Sequence, residues 1–177
     1  GRPQPSRADS TAEKLFSYSF RLHALHSLRL SGSRRLRHAS GELMALRREL
    51  IDPIPVDCIN DDEYIAATIV DKGLTVKFVH DATVTANPPG NVLEYLQQRS
   101  RWNTGHLQQR QLTGKPSTVA GFYFVYNPLF VIRLLLGELK ANPSAVLFWS
   151  ICFLLETLVF LYVIAKRVLS SGRFFNI

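Results

Sequence analysis

Residues 97–102 read QQRSRW and crowd two amides, two guanidiniums and an indole into six positions. On a helix, Gln98, Arg101 and Trp102 stand at i, i+3 and i+4 and share one face. That face offers an amide, a planar cationic fork and a flat aromatic plate, a set suited to a negatively charged, partly flat ligand. Arg99 falls one residue off the face and is expected to matter less than Arg101. The competing reading is a solvated basic helix with a half-buried Trp. A second group is NDDEY, Asn60 to Tyr64, with Asp61, Asp62 and Glu63 at a helix entrance. Carboxylates there are favoured by the helix dipole without any further role. One of them facing a cleft would instead remove a proton from an attacking hydroxyl, and crowding of acids lifts a carboxyl pKa towards that use. A third stretch, GELMALRR from Gly41 to Arg48, reads as a glycine-led apolar strand followed by two arginines. His80 and Asp81 sit at a strand end and, unpaired with any motif, read as loop residues.

Several chemistries are set aside. The chain has no glycine-rich phosphate loop, no nucleophile elbow with Ser, His and Asp in order, and no zinc-ligand spacing. Cys58 lies in a polar region and Cys152 in an apolar one, so they are not expected to pair, which fits a reducing compartment for the polar part. The net charge of +7 and pI near 9.7 suit nucleic acid, anionic headgroups or phosphorylated substrates. The position of the charge narrows this. Arg29, Arg34, Arg35 and Arg37 cluster early, Arg99, Arg101 and Arg110 form a second group, and Lys166, Arg167 and Arg173 follow a long apolar run as a membrane flank.

These residues need elements to position them. Thr11 to Leu30 has apolar residues at helical spacing, with Ser10 and Glu13 as a capping box and Ser31-Gly32-Ser33 as the stop. Such a helix could lie on a membrane surface or pack in a core. Gly41 to Leu46 is expected as a short strand and RRELID as a turn of helix. A helix is predicted from Asp61 to Asp71, stopped by Gly73. LTVKFVHDATVTA alternates well enough for one or two strands. NPPG breaks the chain, and a helix from Val92 follows, with Leu93, Leu96 and Leu107 as its expected apolar side. Residues 119–139 are strongly apolar but contain Pro128 and Arg133. Residues 145–165 form a transmembrane candidate of the required length. Its Leu, Ile, Val and Phe residues, at about −0.3 to −0.6 kcal/mol each, outweigh Glu156 at about +3 kcal/mol.

The order of features resembles the C-terminal half of a membrane-associated family 2 glycosyltransferase of GT-A fold, with cellulose, chitin and hyaluronan synthases as relatives. QRSRW matches the family's Q-R-x-R-W motif at every fixed position. DDEYIA resembles its acidic E-D-x-x-L-A segment, and SGELMALRREL its G-x-x-x-A-x-R-R strand near the acceptor site. The resemblance implies an α/β catalytic part over residues 1–117, an apolar interfacial or first membrane segment over 118–143, a transmembrane helix over 144–166 and a basic tail over 167–177. It implies inverting transfer of a sugar from a nucleotide-diphospho-sugar to a saccharide or lipid acceptor. Asp62, or its neighbour Asp61, would be the catalytic base. Gln98, Arg99 and Arg101 would hold the donor diphosphate, and Trp102, Gly41 and Glu42 would face the acceptor. Membrane lipids are expected partners and nucleic acid is not. The family's D-x-D motif, which holds a divalent Mg or Mn ion, is not found here. The chain is therefore expected to be a fragment whose metal ligands lie mostly outside it, and to be inactive alone; a non-catalytic anchor or partner subunit keeping only the acceptor-side half is the alternative. The catalytic part is expected on the cytoplasmic face of the cell membrane. Lys166, Arg167 and Arg173 place the C-terminus there too if residues 119–139 form a first span. If that segment lies at the interface, the C-terminus is outside.

Overall fold

The computed structural model describes residues 1–119, 127–143 and 146–170. Its elements are β1 (Arg2–Pro5), α1 (Thr11–Leu30), a 3-10 turn (Arg48–Leu50), α2 (Asp61–Asp71), β2 (Thr83–Ala86), α3 (Val92–Thr113), α4 (Pro128–Ala141) and α5 (Val146–Ser170). Among the described residues the sheet is one parallel pair, β1 with β2, in the register Arg2↔Thr83 to Pro5↔Ala86. Arg2 and Ser6 donate to the carbonyls of Ala82 and Ala86 at 2.7 and 2.9 Å. Pro3 and Pro5 fall on the alternating positions, so their missing N–H groups leave these bonds intact. LTVKFVHDATVTA thus contributes one short strand, and among the described residues the sheet has two strands.

The capping box forms as read: Ser10 Oγ accepts from Glu13 N at 3.2 Å, and Glu13 Oε2 accepts from Ser10 N at 2.9 Å. From there α1 buries Leu15, Phe16, Phe20 and Ala24, so it is a core helix and not a surface one. Leu15, Phe16 and Phe20 pack with Tyr95 of α3 and Cys152 of α5 in one cluster. Each such side chain removed from water stabilises the fold by about 1.5–3 kcal/mol. Gly32, Gly73 and Gly114 follow α1, α2 and α3 with φ of 72°, 87° and 70°. That left-handed backbone lets the chain leave each helix without steric strain.

Two expectations change. No strand forms over Gly41–Leu46, because the Gly41 amide is taken by the Asp62 carboxylate at 2.9 Å and the segment runs as a loop. Leu93 is 65 % exposed; α3 instead buries Tyr95, Asn103, Gly105, His106 and Gln109, because it is packed between α2, α1 and α5. Pro128 stands at the first position of a helix. It opens α4, whose cap is the Asn127 side chain accepting from Phe130 N at 3.3 Å. Residues 120–126 of that apolar stretch lie outside the described residues, as does Arg173 of the basic flank.

Among the described residues one helix, over Val146–Leu169, is long and apolar enough to cross a membrane. Trp149, Cys152, Phe153, Glu156 and Phe160 recur at helical spacing on the side turned towards α1 and α3. Leu147, Leu154, Leu158 and Leu161 are all more than half exposed.

Candidate active site

α2 and α3 meet closely at Gly105. Asn60, at the cap position of α2, makes no capping bond of its own. Its side-chain amide reaches across instead, donating to the Trp102 carbonyl at 3.1 Å and lying 3.3 Å from His106 Nδ1. Only glycine leaves room for it, since a Cβ on Gly105 would stand 2.3 Å from Asn60 Cγ. Beside this contact, the fully buried Glu63 carboxylate lies 2.6 Å from His106 Nδ1. Burial works to raise the Glu63 pKa, but His106 and His38 outweigh it and hold it low. These contacts bring the acidic start of α2 against the middle of α3.

The result is a cavity of about 870 Å³. Gly41, Glu42, Asp61, Asp62, Gln98, Arg99, Arg101 and Trp102 all line it. The candidate base, diphosphate and acceptor residues are therefore on one cavity, although Asp62 and Gln98 are far apart in sequence, while Glu63 is buried beside it and does not line it. His80 and Asp81 are elsewhere, with His80 Nε2 2.9 Å from Arg2 Nη1.

Asp62 is half-buried, and its Oδ1 and Oδ2 accept from Glu63 N at 2.7 Å and Gly41 N at 2.9 Å. Burial raises its pKa above the ordinary aspartate value, and the neighbouring Glu63 and Asp61 add to the rise, against the two amides. Asp61 is exposed and accepts from Asp62 N at 2.9 Å. Glu42 accepts from the Ser40 hydroxyl.

On α3, the geometry separates the two arginines differently from the expected face. Arg101 is exposed at the cavity edge. Arg99 is the more buried one: its guanidinium carbon lies 5.0 Å from the centre of the Trp102 ring, and its Nε is ion-paired to Glu156 of α5. Burial opposes the Arg99 charge, but the Glu156 carboxylate outweighs it and raises the pKa. Trp102 is set edge-on against Phe20 at 6.0 Å. Among the described residues, Gln98 Oε1, His38 Nδ1 and Trp149 Nε1 are buried without a protein partner, and all three residues line the cavity.

The chain belongs to glycosyl transferase family group 2. The family model so described matches residues 4–164, which takes in both motifs and most of α5. No curated protein and no solved structure matches the chain. Membership of this glycosyltransferase family implies glycosyl transfer, with a nucleotide-sugar donor and an acceptor.

The local motifs do not account for the whole glycosyltransferase cavity. His23, His38 and His106 line it, with the His23 and His38 rings 4.8 Å apart and those of His38 and His106 6.0 Å apart. Burial pushes His38 down to about 4 and His23 well below the usual histidine range. These residues come from separate parts of the chain and carry no local spacing. Glu156 did carry a signal, as the lone acid of an apolar helix. Among the described residues no three His, Cys, Asp or Glu side chains converge to hold a metal ion, so those present do not fit a metal on their own.

Proposed function

We propose that the chain forms the acceptor-side and diphosphate-binding part of a membrane-bound inverting glycosyltransferase. The observation that supports this most is the convergence of the Asp62 carboxylate and the QRSRW turn on one cavity. In the proposed reaction, Asp62 takes the proton of an acceptor hydroxyl as that oxygen attacks the anomeric carbon of the donor sugar. The bond from that carbon to the diphosphate oxygen breaks on the opposite side, which inverts the configuration. The nucleoside diphosphate leaves with its charge met by Arg99, Arg101 and Gln98, preset donors of the kind that stabilise developing charge. Trp102 supplies a face for the acceptor sugar, with Gly41 and Glu42 lining the same cavity. Asp62 suits the base better than Asp61 because it is half-buried with a raised pKa, whereas Asp61 is exposed. A Mg or Mn ion is expected for the complete enzyme, with ligands mostly outside this chain, and no step here depends on it.

The membrane assignment rests on α5. Only 22 % of its apolar window is buried, where the core helix of a soluble protein would be mostly covered. The catalytic part is placed on the cytoplasmic face, where nucleotide sugars are made, and the acceptor is a saccharide or a lipid.

The test is direct. Membranes carrying the full-length protein are given a panel of labelled nucleotide-diphospho-sugars, and transferred sugar and released nucleoside diphosphate are measured together. Stoichiometric transfer from one donor supports the reading. Acceptor binding without turnover of any donor would support the non-catalytic anchor instead.

A further inference from the structure

Glu156 is the one acid on α5 and lies within its apolar stretch, before Lys166 and Arg167. An ionisable group at such a position is costly where water is excluded and persists where it has a partner and a use. Among the described residues its ion-pair and hydrogen-bond partners come from α3. The Arg99 Nε is ion-paired to it, and the buried Tyr95 hydroxyl donates to it at 3.3 Å. Arg99 in turn lies over the Trp102 ring. Glu156, Arg99 and Trp102 therefore form a chain along the wall of the cavity that Asp62 also lines. Docking of α5 needs no acid, because Cys152 packs in the Leu15, Phe16, Phe20 and Tyr95 cluster, and Phe148, Ile151 and Leu155 pack against it.

We infer that Glu156 is a positioning residue for glycosyl transfer: it fixes the Arg99 guanidinium against Trp102, preset for the diphosphate of the donor. This role rests on the functional reading above. It makes the apolar helix part of the site and not only an anchor. An unheld arginine samples many rotamers and must be ordered each time the donor binds. A guanidinium already held by a carboxylate and an indole is spared most of that ordering, and its charge is kept where the leaving group develops its own.

The experiment uses the full-length protein in membranes and measures donor KM, acceptor KM and kcat for the wild type, Glu156→Gln, Glu156→Asp and Tyr95→Phe. In Glu156→Gln the donor KM should rise about 10-fold or more, the scale of losing one charge-assisted contact. The acceptor KM should stay within about 2-fold, because no acceptor contact is assigned to Glu156. Glu156→Asp keeps the charge and should recover part of the donor KM. Tyr95→Phe, which removes only the hydroxyl, should shift donor KM in the same direction by less, and it carries the test if Glu156→Gln does not accumulate. An unchanged donor KM, whatever happens to kcat, would overturn the inference and leave Glu156 as a docking contact. A lowered donor KM would also overturn it, by showing that Glu156 competes with the donor for Arg99. A wild type that turns over no donor would refute the functional reading itself, which is a separate result from an active wild type whose Glu156 variants keep their donor KM.

Discussion

Gly105→Ala tests how α2 and α3 are held together. The added Cβ would stand 2.3 Å from Asn60 Cγ and 2.5 Å from both its terminal atoms. Carbon contacts are comfortable from about 3.5 Å, so the two helices must part by about 1 Å or Asn60 must swing away. Swinging away is hindered, because the Asn60 amide donates to the Trp102 carbonyl and meets His106. Overpacking of this kind costs about 1–3 kcal/mol, while Ala in place of Gly inside a helix returns about 1 kcal/mol. The net loss of stability is then about 0–2 kcal/mol. The effect on transfer should be larger. Asp62 follows Asn60 by two residues, so it moves with the start of α2 relative to the QRSRW turn, and a misplacement of about 1 Å can cost about 10²-fold in rate. The assay pairs a thermal midpoint in detergent with the initial transfer rate in membranes. A modest midpoint change with a large rate loss is expected. Adding Asn60→Ala removes the clash and should bring the double variant above Gly105→Ala in rate. Wild-type rate and midpoint in Gly105→Ala would refute the close packing of α2 on α3.

Trp102→Phe keeps a flat face and should raise acceptor KM less than Trp102→Ala, with donor KM little changed in Trp102→Phe; steady-state kinetics with varied acceptor checks the order. Histidine burial makes stability depend on pH. His26 and His38 are lowered by burial to about 4, so between about pH 4 and the ordinary histidine value near 6.5 the unfolded chain binds more protons than the folded one. Stability should therefore rise with pH across that window and be fully present above it, and a thermal midpoint as high at pH 4.5 as at pH 7 would contradict the buried neutral assignment. A cysteine placed at position 171 should be labelled from the cytoplasmic side if residues 119–139 complete a membrane hairpin; labelling from the outer face alone would require a single crossing by α5.

Much of the site was legible in the sequence because its signals are local. The capping box of α1, the glycine stops after α1 and α2, and the start of α3 depend on neighbours within a turn, and they form where they were read. The QRSRW and DDEY motifs are compact enough to be read as units. The remainder depends on partners distant in sequence. Gly41 looked like the head of a strand, but its amide is claimed by Asp62, a competition that alternation cannot reveal. Taken on α3 alone, Arg99 lies off the face shared by Gln98, Arg101 and Trp102; Glu156 on α5 and Trp102 draw it into the cavity wall. The polar buried face of α3, with His106 against Glu63, has no apolar periodicity to betray it.

The central claim is that Asp62 removes the acceptor proton. Its most direct test compares transfer rate and donor affinity for Asp62→Asn and Asp61→Asn in membranes carrying the full-length protein. A positioned base supplies about 10²–10⁴-fold in rate, so Asp62→Asn should lose transfer on that scale while keeping donor affinity, and Asp61→Asn should lose much less. Equal and small losses in the two variants would show that these carboxylates serve the start of α2 and not the chemistry.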